Sequence, residues 1–440
     1  MRCDWQKFSV ADLLAHNVLY IGDGYRAKLE ELGSAGLPFA RAGNIDSGFH
    51  FEDADRFPTE DLSRVGQKVS QPGDVVFTSK GTVGRFALVR QDTPPFVYSP
   101  QLCFWRVLQA DRINPRFLFY WMSGREFYDQ YKGVAGQTDM AEYVSLADQR
   151  RMYITLPPLS EQGGIAEILG ALDDKIELNR RVNETLEAMA RAIFKSWFVD
   201  FDPVRAKAEG RQPSGMDAAT AAHFPKSFEE SRLGKIPRGW TVAPLPEIAR
   251  INPPRLLEKG RATTYLDMQN MPTRGHRAAG WIQRPFVSGS RFTNGDTLIA
   301  RITPCLENGK TAYVDFLKDG EVAWGSTEFI VLRPKDPLPS EYGYCLARDE
   351  EFRAHAIQNM TGSSGRQRVP TDCFSQYLLA VPPEPVAQRF GQVVRPLFAK
   401  VKANSEEAAT LAAIRDTLLP KLISGEIRVA PSEVSEVATS

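Results

Sequence analysis

The chain has 440 residues, too many for one ordinary hydrophobic core, so two or more domains are expected. Its 42% apolar and 25% charged content excludes a disordered polypeptide, and no run approaches the roughly 18 apolar residues needed to span a bilayer. The 54 basic and 54 acidic side chains cancel, so no global charge argues for a nucleic-acid partner, and any DNA-binding face must gather its cations locally.

The N-terminal stretch MRCDWQKFSVADLL has an early acid and no apolar run ending in small residues, unlike a signal peptide. From Trp5-Gln6-Lys7-Phe8 onward the runs are short, alternate in polarity and are broken by Gly and Pro. Phe39–Ile45 reads as a strand with a polar end, Gly73-Asp74 leads the β-rich Val75-Val76-Phe77, and Gly133–Thr138 is a polar loop. Residues 1–155 are therefore predicted as a mixed domain with a β-rich body.

After Leu156-Pro157-Pro158 the pattern changes. Ile165, Leu169, Leu172, Ile176, Asn179, Asn183, Leu186, Ala190, Ile193 and Trp197 are separated by alternating steps of four and three, a heptad seam. Residues 156–201 are predicted as a central helical spacer with Ser160 and Glu161 in its first turn. The polar, Pro- and Gly-containing stretch 202–238 reads as a connector.

Residues 239–380 repeat the first domain loosely. Trp240-Thr241-Val242 corresponds to the opening tryptophan, Tyr265–Met271 to Phe39–Ile45, Gly295-Asp296 to Gly73-Asp74, and Thr361–Arg366 to the polar loop. A second seam follows Val381-Pro382-Pro383: Phe390, Val394, Leu397, Val401, Asn404, Ala408, Leu411, Leu418 and Leu422, broken once at Arg415. The two helical segments align without a gap at a shift of 225 residues, so that Asn179 falls on Asn404. Pro396 and Pro420 each remove a backbone hydrogen bond, and a kink or short interruption is expected there. Residues 381–427 form the distal spacer, stopped at Gly425, and 428–440 a tail. The expected fold class is α+β: two mixed domains, each followed by a long helix, with the helices paired as an antiparallel coiled coil and the seam asparagines marking register.

Three features imitate catalytic motifs. Asn252-Pro253-Pro254-Arg255 has the wording of an amino-methyltransferase loop, but arginine stands where a base-stacking aromatic is needed and no glycine-rich cofactor turn precedes it. Pro304–Thr311 misses a phosphate-binding loop by one glycine and runs into a strand-like Ala312–Phe316, not a helix, so it reads as a hairpin loop. His16, His50, His223, His276 and His355 have no metal-ligand spacing, and Cys3, Cys103, Cys305, Cys345 and Cys373 form no CxxC, which suits reduced thiols in a cytoplasmic protein. No catalytic or metal site is expected.

Two mixed domains, each leading through hydrophobic-Pro-Pro into a long helix, resemble the specificity subunits of type I restriction–modification enzymes. The motifs are Leu156–Gln162, Leu172-Asp173-Asp174-Lys175-Ile176-Glu177-Leu178-Asn179, Phe194–Pro203, Gly234–Trp240 and Leu418–Ile427. One departure is Pro383-Glu384-Pro385-Val386-Ala387-Gln388, where the family would have Pro-Leu-Ser-Glu-Gln. The resemblance implies that each mixed domain is a target-recognition domain reading half of a split double-stranded DNA sequence. It further implies that the helices form a spacer docking two methyltransferase subunits, and that motor–nuclease subunits complete the complex. S-adenosylmethionine, ATP and Mg²⁺ would belong to those partners, with no cofactor on this chain and no membrane contact.

The polar loops supply the candidate DNA contacts: Arg41, Asn44, Ser79, Lys80, Thr82, Arg85, Gln137 and Thr138 in the first domain, and Gln269, Asn270, Arg274, Arg301, Lys310, Arg366, Gln367 and Arg368 in the second. A helix of about 40 residues is roughly 60 Å long at 1.5 Å per residue, enough to hold two readers about one DNA turn apart. A scaffold binding only proteins would share the repeat without needing matched polar loops. A methyltransferase would need the missing cofactor motif.

Overall fold

The short apolar runs of the first half are buried on both faces, as in Val75–Thr78, and so pair into sheets instead of remaining surface strands. A computed structural model describes residues 5–45, 48–80, 84–135, 144–363 and 365–429. Contacts divide the chain into two units, Met1–Ile176 with Thr410–Ser440, and Glu177–Ala409. The division therefore cuts through both long helices, Leu159–Phe198 and Glu384–Ile423.

In the first unit an antiparallel sheet has the order Leu19–Asp23, Leu102–Val107, Val75–Thr78, Phe86–Leu88. A smaller sheet pairs Leu37–Ala40 antiparallel with Arg56–Phe57 and parallel with Val97–Tyr98. Gln6–Ser9 pairs with Tyr153–Leu156, which brings the N-terminal strand beside the one that leads into the first long helix.

The second unit repeats this plan. Its main sheet runs Ala249–Ile251, Phe329–Pro334, Thr297–Ala300, Thr311–Tyr313, again antiparallel. Its second sheet pairs Ala262–Leu266 antiparallel with Ile282–Pro285 and parallel with Ala323–Gly325, with Ser290–Phe292 added at the far edge. Thr241–Pro244 with Leu378–Val381 repeats the strand pair that precedes the helix. Two stretches with little sequence in common thus reach one topology because the same strand order and the same parallel pairing recur.

Both units bury one carboxylate beneath the main sheet. Asp74 accepts from Arg106 Nε at 2.6 Å and Nη2 at 2.7 Å, and from Tyr98 Oη at 2.7 Å. Asp296 is met by Arg255 Nη2 at 2.7 Å and Arg333 Nη1 at 3.3 Å. Each aspartate also closes its own turn, accepting from Gln71 N and Thr293 N, with Gly73 and Gly295 at positive φ just before it. Burial pushes the Asp296 carboxyl above the ordinary range, while the nearby Arg255 and Arg333 pull it back. The repeated Gly-Asp is therefore a turn tied into the core by an ion pair.

The helix ends belong to these cores. In the first unit Ile165, Leu169, Leu422 and Ile423 lie in one cluster with Trp105, Trp121 and Phe127. Asp173 there receives Arg415 Nη1 at 2.8 Å and Tyr120 Oη at 2.7 Å, so the charge that breaks the seam has a partner. In the second unit Phe390 packs against Phe194, Trp197 and Phe198. Asn179 Nδ2 donates to the Asn404 carbonyl at 3.3 Å and to Glu407 Oε2 at 2.9 Å, while Asn404 Nδ2 donates to Asn183 Oδ1 at 2.9 Å. Within each unit rising numbers on one helix meet falling numbers on the other, which is antiparallel pairing. The seam positions Leu172, Ile176, Leu186, Ile193, Leu397, Leu411 and Leu418 are partly buried, and Val394 and Val401 are buried.

Two expectations change. The distal helix is continuous through Pro396 and Pro420. Both prolines are exposed, while the seam residues Leu397 and Leu418 beside them stay partly buried. The connector is also folded: it carries helices Asp202–Ala208 and Ala218–Ala222 and the hairpin Phe228–Ser231 with Gly234–Pro237. Its scattered apolar residues, Val204, Phe224 and Ile236, enter the core of the second unit, which sequence polarity alone concealed.

Two stability outcomes follow. Phe390→Ala removes a fully buried ring and is expected to cost about 3–5 kcal/mol in urea unfolding. Arg106→Met strands the Asp74 carboxylate and is expected to cost about 3–5 kcal/mol, with the loss largely relieved in the Asp74→Leu/Arg106→Met double variant. Equal losses in the single and double variants would show the pair to be irrelevant.

Candidate nucleic-acid interface

In the first unit the parallel strands Leu37–Ala40 and Val97–Tyr98 run side by side, and backbone hydrogen bonds lace the loops after them to the one that follows Val75–Thr78. Ser79 N–H donates to the Gln101 carbonyl at 2.9 Å, Thr78 N–H to Arg85 O at 3.0 Å, and Val144 N–H to Ser79 O at 3.1 Å. The second unit repeats the lacing with other residues. Arg301 N–H donates to Glu328 O at 2.9 Å, Ala300 N–H to Lys310 O at 3.0 Å, and Val369 N–H to Arg301 O at 2.8 Å. Position by position, Ser79 matches Arg301, Arg85 matches Lys310, and Gln101 matches Glu328. One backbone frame thus presents different side chains.

The frame gathers Arg41, Asn44, Ser79, Lys80 and Arg85, and their roles differ. Asn44 spends its amide on the loop itself, accepting from Arg41 N–H at 2.8 Å and donating to His50 O at 2.9 Å. Arg41 pairs with Asp55 at 2.6 Å. Arg85 Nη1 reaches the carbonyls of Ala42 at 3.3 Å and Ile45 at 3.2 Å. Ser79, a candidate from loop composition, is instead buried, with its hydroxyl 3.4 Å from the Gln101 carbonyl, and it presents no surface to a ligand. Lys80 is exposed. Thr82, Gln137 and Thr138 lie outside the described residues.

In the second unit Lys310 Nζ donates to Met268 O at 2.8 Å, the same strut that Arg85 makes, because each cation reaches the first carbonyl of the short turn after the matching strand. Gln269 is exposed and Asn270 half-buried in that turn, and Arg274 is exposed just beyond it. Arg301 is partly buried, and its Nε has no hydrogen-bond partner. Gln367 contributes its carbonyl to Thr303 N–H at 3.0 Å, and Arg366 is exposed beside it. Arg368 is held by Glu328, with Nε 2.9 Å from both carboxylate oxygens, and this hydrogen bonding raises its guanidinium above the ordinary range.

Sequence reading missed Gln101 and Glu328. Gln101 Oε1 accepts from Ala42 N–H at 2.9 Å, so it organises the first loop cluster as Glu328 organises the second. The signal was present: Ser99-Pro100-Gln101 and Ser326-Thr327-Glu328 follow corresponding strands, and each serine carbonyl accepts from the residue three places on.

The catalytic look-alikes have structural explanations. Asn252, at φ 49°, extends the main sheet by bonding Val331 in both directions, N–H to O at 2.7 Å and Oδ1 from N–H at 2.8 Å. Arg255 is committed to Asp296. Residues 303–309 form turns between the strands Thr297–Ala300 and Thr311–Tyr313, with no helix to face an anion. His276 is buried and stacked 4.7 Å from Phe398. Among the described residues no three His, Cys, Asp or Glu side chains are grouped to hold a metal ion, and no helix is long and apolar enough to cross a membrane.

Comparison with known proteins converges on one family. Residues 3–188 match the family model for the type I restriction modification DNA specificity domain. The chain is 24% identical to the type I restriction enzyme HindI specificity subunit of Haemophilus influenzae, over 96% of this chain and 100% of that one. It is also 24% identical to the MjaIX specificity subunit of Methanocaldococcus jannaschii, over 82% of this chain and 79% of that one. The fold is similar to the crystal structure of the type I restriction–modification S subunit from M. genitalium, with a TM-score of 0.51 at 16% identity over 95% and 96% of the two chains. Repeated folds, antiparallel helices and relatives matched along the chain agree: residues 3–188 match the type I restriction modification DNA specificity domain, and the chain as a whole is similar to type I restriction enzyme specificity subunits.

Proposed function

We propose that this chain reads a two-part DNA target, one part with each recognition domain, and directs adenine methylation and restriction carried out by partner subunits. The observation that carries this reading is the repeated loop frame, whose backbone lacing at Ser79 and Arg301 recurs while the exposed polar side chains near it differ, Lys80 in one half and Arg366 and Arg368 in the other. A protein-only scaffold has no need for two matched frames with exchanged polar side chains. Phosphate contacts position such a protein, and base-edge contacts distinguish sequences.

The two long helices serve as the spacer. Support comes from their packing: in each unit both helices are built into the core, so a change in helix register disturbs the recognition fold. Two methyltransferase subunits dock on the chain and motor–nuclease subunits complete the assembly in the cytoplasm. S-adenosylmethionine, ATP and Mg²⁺ are used by those partners, and this chain is the non-catalytic subunit.

Methylome sequencing of cells carrying the chain with its partners tests the reading directly. Two unlike blocks flanking unspecified bases are expected, and a continuous palindrome would overturn it. Exchanging residues 1–155 for the corresponding domain of a relative is expected to replace one block and keep the other. Inserting about four residues, one helical turn, near Asn179 is expected to lengthen the spacer or abolish binding.

Native mass measurement is expected to find two methyltransferase copies per chain, and one copy would refute the stoichiometry. The purified chain alone is expected to transfer no methyl group from S-adenosylmethionine. Arg366→Ala is expected to weaken or relax only the block read by the second domain, by about 1–3 kcal/mol for a base contact.

A further inference from the structure

Arg368 is fixed twice. Its backbone pairs with Thr361, N–H to O at 2.8 Å and back at 2.9 Å, and bridges to Ile302 on its other side. Its side chain is held by Glu328: Nε lies 2.9 Å from both carboxylate oxygens and Nη2 lies 2.8 Å from Oε1. Glu328 stands on the same frame, since its carbonyl accepts the Arg301 N–H at 2.9 Å. The carboxylate therefore occupies the Nε–Nη2 edge of the guanidinium. The end of the fork, formed by Nη1 and the outer hydrogen of Nη2, is left to a ligand on a side chain that is 47% exposed.

Two physical consequences narrow what that ligand is. Paired with a carboxylate, Arg368 brings little net charge, and Glu328 would repel a phosphate placed against the same fork. What remains is direction: two parallel donors, already immobilised, suited to a neutral edge with two adjacent acceptors. In the DNA major groove only guanine has that edge, at O6 and N7; adenine pairs an acceptor with a donor, and cytosine and thymine offer no acceptor pair. Arg301, beside Glu328 in the frame, keeps the cluster positive overall. Gln101, at the place in the first domain that matches Glu328, spends its side chain on the Ala42 N–H, so among the described residues the device is seen only in the second domain.

Resting on the reading of the second unit as a DNA-recognition domain, we propose that Arg368 reads a guanine in the block specified by that domain, with Glu328 as the positioning residue that aims it. The test uses the full chain co-expressed with its methyltransferase partner and selects bound duplexes from a randomised DNA library. Arg368→Ala and Arg368→Lys are expected to lose about 5- to 150-fold in affinity for the wild-type target and to accept any base at one guanine, with the first-domain block unchanged. Their salt dependence stays that of the wild type.

Replacing that guanine by 7-deazaguanine, which lacks the N7 acceptor, is expected to weaken wild-type binding and leave Arg368→Ala unaffected. Glu328→Gln keeps the cation but loses its aim, so it is expected to bind with relaxed preference at the same position and a steeper salt dependence. A loss spread evenly over all sequences with a shallower salt dependence would make Arg368 a phosphate contact and overturn the proposal. Unchanged selection by Arg368→Ala would reduce the pair to a loop fastener and also overturn it. A wild-type complex that selects no sequence at all would instead bring down the underlying reading of the unit.

Discussion

An amide cluster inside a largely apolar helix seam is the constraint on which the rest of the structure depends. Asn179, Asn183 and Asn404 have their hydrogen bonds satisfied only in the observed register, with Glu407 and Ser405 completing the set. Sliding one helix past the other would strand the buried Asn179 and Asn404 amides at about 1–3 kcal/mol each. A purely apolar seam would have no such penalty, because leucine packs acceptably in neighbouring registers. Both helices are also core elements of each unit, so helix register and recognition fold are one problem. The ring of Phe390 against Phe194, Trp197 and Phe198 and the Asp173–Arg415 pair enforce the same alignment at other points along the seam.

Above that constraint, each recognition fold separates what must be constant from what is free to differ. The buried Asp74–Arg106 and Asp296–Arg333 contacts occupy corresponding strands and hold the main sheet to its turn. The backbone lacing at Ser79 and Arg301 repeats without regard to side chain, since amides and carbonyls are common to every residue. Side chains on such a frame can be exchanged with little effect on stability, which is the property a reader of variable sequences requires. Arg85 and Lys310 show the limit of that freedom: both are cations because both brace the same carbonyl.

The basic residues consequently fall into two kinds. Arg41, Arg85 and Lys310 are engaged with protein groups, as struts of the loops. Lys80 and Arg366 are exposed on the polar loops. Arg368 belongs to both kinds, since a carboxylate fixes one edge of its fork and leaves the other available. Zero net charge over the whole chain is compatible with this arrangement, because many of the acids are spent holding cations in place.

The sequence by itself determined the elements whose signal is periodic and local. Heptad steps define the seam of each helix, because side-chain burial along a helix repeats with fixed spacing whatever lies opposite. The shift of 225 residues pairs Asn179 with Asn404, and Gly-Asp marks the matching turns. Tertiary structure alone decided what depends on partners distant in the chain. It decided that Pro396 and Pro420 face outward and leave the helix unbroken, and that the polar connector lends Val204, Phe224 and Ile236 to a core. It decided that Ser79 is buried while Arg366 is exposed, and that Glu328, 40 residues from Arg368, holds its side chain. The physical reason is the same in each case: composition tells which groups can form a hydrogen bond, but only the packed chain determines which partner lies within three ångströms.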